Sequence, residues 1–230
     1  GATAAVSVAE NTTAVTTVAA ADADLPAQTL VYSIAGGADA ARFVIDGSTG
    51  VLSFVAAPDF ESPADAGADN VYDVRVRVSD SAFFDDQDIA VTIAPVNDNA
   101  PVITSGGGGA AAGIAVAENG TAVTVVAASD ADLPAQMLAY TIVGGADAAF
   151  FALDPNTGVL TFVSPRDFEA PTDADADNVY EVVVRASDGT LSDDQAIAVT
   201  VANVNEAPVI ISNGGGPAAA VAVPENGTAV

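Results

Sequence analysis

Tyr72-Asp73-Val74-Arg75-Val76-Arg77-Val78-Ser79-Asp80 alternates apolar and polar side chains without a break. That period of two puts Tyr72, Val74, Val76 and Val78 on one face and Asp73, Arg75 and Arg77 on the other, as in a strand with one wet face. Ile89, Val91 and Ile93 alternate in the same way, as do Ile197, Val199 and Val201. Shorter strands are expected at Val15–Ala19, Leu30–Ile34, Phe43–Ile45 and Val51–Phe54, each bounded by Gly, Asp, Asn or Pro. Thr49-Gly50 and Thr157-Gly158 read as tight turns that use the positive φ open to glycine. No window carries the period of an amphipathic helix. Seven short strands in about 100 residues predict an antiparallel β-sandwich with Greek-key connections.

The pattern occurs twice. Glu10-Asn11 returns as Glu118-Asn119, and the same offset links Asp22-Ala23-Asp24-Leu25-Pro26 to Asp130-Ala131-Asp132-Leu133-Pro134. It also links Asp59-Phe60-Glu61 to Asp167-Phe168-Glu169, and Asp69-Asn70-Val71-Tyr72 to Asp177-Asn178-Val179-Tyr180. A third copy opens at Glu225-Asn226, one residue early, because Asn97-Asp98-Asn99-Ala100-Pro101 has become Asn205-Glu206-Ala207-Pro208. The chain therefore divides into repeat 1 (1–101), repeat 2 (102–208) and the spacer and first strand of a further repeat (209–230). It reads as a slice of something longer. Ser105-Gly106-Gly107-Gly108-Gly109-Ala110 and Asn213-Gly214-Gly215-Gly216-Pro217 are low-complexity spacers, either flexible linkers or surface loops that turn the chain before the next strand.

Composition narrows the chemistry. Of 230 residues, 31 are acidic and 5 are basic, all arginine, for a net charge of −26. Such a chain repels nucleic acid and anionic membranes, and its own charge opposes folding unless cations are supplied. There is no cysteine for a disulfide or a thiolate metal site, and no histidine for acid–base work or zinc. No apolar run reaches the roughly 20 residues of a membrane helix. What remains is oxygen: short Asp, Asn and Glu clusters at strand ends, recurring at a fixed offset. Ca²⁺ takes six to eight such oxygens, whereas any one cluster alone reads as ordinary turn residues.

The order of these motifs resembles the cadherin repeat in its bacterial, cadherin-like form. The resemblance is carried by Glu10-Asn11, Ala21-Asp22-Ala23-Asp24, Leu30-Val31-Tyr32-Ser33-Ile34, Phe43-Val44-Ile45-Asp46 and Thr49-Gly50-Val51-Leu52. It continues through Asp59-Phe60-Glu61, Tyr72 to Asp80 and Val96-Asn97-Asp98-Asn99-Ala100-Pro101, and covers essentially the whole chain, twice. It implies tandem seven-stranded sandwiches arranged end to end, with calcium held between successive repeats. Carried over to this sequence, repeat 1 would supply Glu10, Asp59 and Glu61. The junction would supply Asn97, Asp98 and the carbonyl of Asn99, and repeat 2 would supply Asp130, Asp132 and Asp188. Unneutralised, those carboxylates repel, so the joint should loosen without calcium.

This chain departs from the family pattern in places. The family's linker opens with Asp, where this chain has Pro95, and one ion of the joint is put in doubt. At the second junction Asn203 takes that place, Glu206 stands for the Asp and the following Asn is deleted. Half-sites are expected there, from Glu118, Asp167, Glu169, Asn205 and Glu206, and at the start, from Asp22, Asp24 and Asp80. Asp65, Asp69, Asp173, Asp175 and Asp177 read as a solvated loop, with an additional calcium site as the alternative. Tyr32, Phe43, Phe54, Phe60, Tyr72 and their copies are expected in the cores.

The leading functional expectation is a structural and adhesive rod of a large extracellular or cell-surface bacterial protein, stiffened by Ca²⁺. Its partners would be neighbouring repeats, other copies of itself or a surface ligand, without nucleic acid or membrane insertion. The alternative is a carbohydrate- or protein-binding sandwich attached to a secreted enzyme. Catalysis by Asp59 and Glu61 is set aside, because the pair is duplicated and calcium accounts for it.

Overall fold

A computed structural model describes residues 3–212 and Ala218, so the second glycine spacer and Glu225-Asn226 lie outside the described residues. In repeat 1 the strands are β1 (Ala4–Ala9), β2 (Ala14–Thr17), β3 (Val31–Gly36), β4 (Phe43–Ile45), β5 (Val51–Phe54), β6 (Val71–Ser79) and β7 (Phe84–Ala94). They form two sheets, ordered β1-β7-β6-β3 and β2-β5-β4, with β1 parallel to β7 and the other pairs antiparallel. The alternation read around Tyr72 holds: Tyr72, Val74 and Val76 are buried and Asp73 and Arg75 are exposed. From the smaller sheet Phe43, Leu52 and Phe54 meet Tyr72, Val74, Val76, Ile89, Val91 and Ile93 of the larger one to form the first core. The expected strand Leu30–Ile34 runs instead from Val31 to Gly36, because a register shift between Ile34 and Gly36 lets pairing with β6 continue. The strand expected at Val15–Ala19 is Ala14–Thr17, and beyond it Val18 N–H turns to the Gly50 carbonyl.

Repeat 2 contains β8 (Val102–Ile103), β9 (Ala111–Ala117), β10 (Ala122–Val125), β11 (Ala128–Ser129), β12 (Ala139–Gly144), β13 (Phe151–Leu153), β14 (Val159–Phe162), β15 (Val179–Ser187) and β16 (Ser192–Ala202). Its sheets, β12-β15-β16-β9 and β10-β14-β13, copy those of repeat 1. Of the two additional strands, β8 comes from the junction and β11 follows β10. Directly after Pro101, β8 pairs with β11, Ile103 is fully buried in the second core, and its N–H donates to Asp193 Oδ2 at 2.8 Å. Helical turns among the described residues are three short 3₁₀ segments, at Ala40–Arg42, Ser105–Gly107 and Ala148–Phe150.

Three local devices hold these sandwiches. Gly50 and Gly158 sit at φ of 72° and 69°, and a Cβ on Gly158 would lie 2.0 Å from the Val126 carbonyl oxygen. The first spacer is a packed loop, since Gln195 Nε2 donates to the carbonyls of Ser105 at 3.1 Å and Gly109 at 2.9 Å. Phe43 stacks on Phe54 at 4.6 Å and Tyr72 meets Phe54 edge-on at 5.2 Å, an arrangement repeated by Phe151, Phe162 and Tyr180.

One aromatic expectation needs correction, and two phenylalanines that it did not cover are exposed. Tyr140 is buried, its hydroxyl accepting Ala128 N–H from β11, but its copy Tyr32 is only half-buried because repeat 1 has no counterpart of that ribbon among the described residues. Phe83 and Phe84 are 76% and 61% exposed, with the Arg77 guanidinium 3.7 Å above the Phe84 ring.

Candidate metal centre

The lower half of the junction is built from Glu10. At the end of β1 the chain reverses through Asn11, which takes the left-handed conformation (φ 59°) that asparagine tolerates. The reversal leaves Glu10 98% buried, its Oε2 accepting Phe60 N–H at 2.8 Å and its Oε1 accepting Val96 N–H at 2.7 Å. One carboxylate therefore ties together a strand end, the Asp59-Phe60-Glu61 turn and the linker. Oxygens of Glu10, Glu61 and Asp98 lie within 4.8 Å of one another, and Asp98 is held by the Asn11 carboxamide. Asp59 departs from expectation. It is exposed and lies outside this triad, its Oδ1 accepting the N–H groups of Glu61 at 3.0 Å and Ser62 at 3.1 Å.

The upper half comes from repeat 2. Asp130, Asp132 and Asp188 bring carboxylate oxygens within 4.8 Å of one another. Asp132 is 99% buried, and its Oδ1 accepts both the backbone N–H of Asn99 at 3.1 Å and its carboxamide at 2.8 Å. Burial pushes the Asp188 carboxyl up, but the N–H groups of Leu191 and Thr190 outweigh it, leaving Asp188 below its ordinary range.

The halves interlock at the residues between them. Asn99 Nδ2 also donates to Asp98 Oδ1 at 3.1 Å, and Leu133 N–H donates across the joint to Glu61 Oε1 at 3.0 Å. Burial, with added repulsion from Glu10 and Asp132, raises the Glu61 carboxyl above its ordinary 4.5. Gln136, which the sequence reading did not select, meets Asn97 at 2.7 Å and Asp132 Oδ2 at 3.4 Å. Its signal was present: Gln28 and Gln136 occupy the same place after the two Asp-Ala-Asp-Leu-Pro motifs.

Two observations bear on whether these residues suit a cation. Asp130 Oδ2 is buried without a hydrogen-bond partner. The Asn97 carboxamide oxygen faces Asp188 Oδ2 at 3.0 Å and Asp132 Oδ2 at 3.2 Å, acceptor against acceptors. Turning the amide satisfies Asn97; a cation would satisfy all three oxygens and Asp130 as well. The donors are carboxylates and amides only, a set suited to Ca²⁺ rather than to zinc or copper.

The expected half-sites assemble separately. Asp22, Asp24 and Asp80 converge within 4.8 Å, as do Glu118, Asp167 and Glu169. Glu118 repeats the work of Glu10, accepting Phe168 N–H at 2.8 Å and Val204 N–H at 2.7 Å, and these bonds, Val204's first, hold its carboxyl below the ordinary range. Glu206 accepts the Asn119 carboxamide at 2.9 Å, and the Asn203 carboxamide donates to Glu169. Asn205 is exposed.

Comparison with known proteins agrees with this architecture. The family described as "Cadherin domain" matches residues 4–96 and 113–205. Protocadherin Fat 4 of Mus musculus is 33% identical over 199 residues, which are 84% of this chain and 4% of that protein. Cadherin-7 of Homo sapiens is 27% identical over 201 residues, 81% of this chain and 24% of its own length. The chain thus spans a small part of the curated relatives it matches. Among solved structures, human Protocadherin-24 EC1-2 superposes with a TM-score of 0.66 at 20% identity, covering 88% of this chain and 95% of that one. Mouse Cadherin-23 EC22-24 gives 0.60 at 22% identity, covering 88% of this chain and 63% of that one. At such identities these two structures show the shared fold.

Proposed function

We propose that this chain, which belongs to the cadherin family, is a rod segment whose two repeats are locked end to end by Ca²⁺. The observation that carries the reading is the junction: two carboxylate triads, one from each repeat, meet at Asn97-Asp98-Asn99, and Asp130 Oδ2 of the upper triad is buried and unpaired. Glu10, Glu61, Asn97, Asp98, Asn99, Asp130, Asp132 and Asp188 are the proposed ligands. Asp59, whose Oδ1 is occupied by backbone N–H groups, is a weaker member of the set. Gln136 holds Asn97 in place. The division at residue 101 follows the same logic, because Ile103 is already core to repeat 2.

The charge of −26 gives a reason for a divalent cation beyond geometry: the ion offsets repulsion where it is densest. At Kd values of roughly 10⁻⁴–10⁻³ M, typical of extracellular modules, the joint would be filled in calcium-rich surroundings outside the cell and empty within it. Cadherin domains are extracellular in the relatives, and no helix among the described residues is long and apolar enough to cross a membrane. We read the parent as a large surface or secreted protein, adhesive through other copies of itself or a surface ligand. A bacterial parent is our reading of the motif order; the relatives named above are animal proteins. Exposed Phe83 and Phe84 favour a second reading, a binding surface on repeat 1, in place of the rod or alongside it.

Thermal unfolding with millimolar CaCl₂ and with EGTA tests the proposal. At about 1 mM free calcium and a Kd of about 10⁻⁴ M, the stabilisation is about 1.4 kcal/mol. Identical melting curves in the two buffers would overturn it.

A further inference from the structure

Repeat 2 carries a second acidic constellation, away from the joint, that the rod does not use. Asp173-Ala174-Asp175-Ala176-Asp177-Asn178 lies between the Asp167-Phe168-Glu169 turn and β15. Oxygens of Asp173, Asp175 and Asp177 lie within 4.8 Å of one another. The spacing Asp-x-Asp-x-Asp followed by a residue that turns the chain is that of the first half of an EF-hand calcium loop, where glycine takes the sixth place. Asn178 occupies that place here with φ of 65°.

Spacing and acidity alone do not make a site. Asp173, however, is 93% buried, and its Oδ1 has no hydrogen-bond partner, while its Oδ2 accepts Asp177 N–H at 2.7 Å. A buried carboxylate oxygen left bare beside two further carboxylates costs free energy that a cation would recover. The loop borders a cleft of about 140 Å³ lined by Asp147, Asp175, Asp177 and Glu181. Asp147 fixes the loop from beneath, its two oxygens accepting Ala174 N–H at 2.8 Å and Glu181 N–H at 3.0 Å. Repulsion from Asp177, then burial, raises the Asp175 carboxyl.

Repeat 1 supplies the control. Its loop reads Asp65-Ala66-Gly67-Ala68-Asp69-Asn70, with glycine where repeat 2 has Asp175. There both oxygens of Asp65 are used, Oδ2 by Asp69 N–H at 3.0 Å and Oδ1 by Asn70 N–H at 3.1 Å. A Cβ on Gly67 would lie 3.1 Å from Asp69 Oδ1 and 3.3 Å from Asp65 Oδ2, so a side chain at this position starts out beside both carboxylates. The two loops differ by the one carboxylate that completes the triad.

We propose that Asp173, Asp175 and Asp177 bind a further divalent cation, Ca²⁺, within repeat 2, and that Gly67 deletes the equivalent site from repeat 1. The test is a CaCl₂ titration of the ¹⁵N-labelled full chain, following amide shifts to about 10 mM, roughly tenfold above the weak end of extracellular sites. Amides 173–178 should shift and saturate in the native chain, and amides 65–70 should not. Asp175→Ala, which removes the ligand oxygen, should abolish the shifts at 173–178 while those at 97–99 and 130–132 persist. Asp132→Ala should move the response of amides 97–99 and 130–132 to about tenfold higher calcium and leave that of 173–178 unchanged, so failure of the joint and failure of this site are told apart. Gly67→Asp should make amides 65–70 respond. Unmoved amides at 173–178 in the native chain, or unchanged shifts there in Asp175→Ala with the rest of its spectrum native, overturn the proposal.

Discussion

The junction around Asn97-Asp98-Asn99 and the stretch after β16 begin from the same parts and finish differently. In both, a buried glutamate at the end of the repeat's first strand holds two backbone N–H groups, Glu10 those of Phe60 and Val96, Glu118 those of Phe168 and Val204. In both, an asparagine at positive φ turns its carboxamide onto the linker acid, Asn11 to Asp98 and Asn119 to Glu206. The lower half-site is thus formed by each repeat on its own. The first junction alone, among the described residues, meets an upper triad, where Asp132 takes hold of Asn99 and Leu133 N–H reaches Glu61. What the comparison teaches is that the cation site need not organise either repeat. As proposed, it would join two preformed halves, which would limit the ordering cost to the few linker residues.

Several substitutions press on that contrast. Glu10→Ala frees two backbone N–H groups and removes a proposed ligand, so it should destabilise repeat 1 by about 1–3 kcal/mol and weaken calcium binding. Glu118→Ala should loosen repeat 2 and leave calcium affinity at the joint unchanged; denaturant melts with calcium titrations separate the two effects. Asp132→Ala should lower calcium affinity about tenfold, near 1.4 kcal/mol, whereas Asp24→Ala, in the half-site at the start of the chain, should not alter the joint. The repeats differ also at Arg166, 93% buried beside Phe150, Phe162 and Tyr180, where repeat 1 has Pro58. Arg166→Ala should therefore cost repeat 2 about 1 kcal/mol in chemical denaturation without moving calcium affinity.

Proton linkage gives a smaller, graded effect. Burial first, and then Glu10 and Asp132, raise Glu61 above 4.5, so the calcium-free fold binds a proton at Glu61 more tightly than the unfolded chain does. That contribution is full below the ordinary value and is lost as the pH climbs through the raised one. On the proposed ligand set, calcium would compete for the same oxygen. The gain in melting temperature from calcium should shrink as the pH is lowered from about 7 to about 5, and Glu61→Gln should flatten the trend.

Much of this was legible in the sequence because the strands are short and one face of each is wet. The alternation at Tyr72–Val78 and the turn at Gly50 pointed to the sandwich, the constant offset between repeats drew attention to Glu10, Asp130 and Asp132, and the resemblance to the cadherin repeat implied Asp98 and Asp188. The misses share a cause: they depend on what one repeat places against another segment. Leu133 reaches Glu61 through a backbone N–H, which carries no sequence mark. Gln136 matters because Asn97 lies opposite it, while its copy Gln28 is exposed. The β8–β11 ribbon forms because the junction delivers Ile103 into the second core, and this covers Tyr140 while Tyr32 stays half-open. Arg166 drew no reading from the sequence, yet its guanidinium donates to the Ser164 carbonyl and lies among aromatic rings.

Small-angle scattering of the full chain, with millimolar CaCl₂ and then with EGTA, tests most directly whether calcium locks the two repeats. The account predicts one narrow distribution of inter-repeat distances in calcium and a broadened one in EGTA, with the signal of each sandwich unchanged. Superimposable profiles in the two buffers would contradict it.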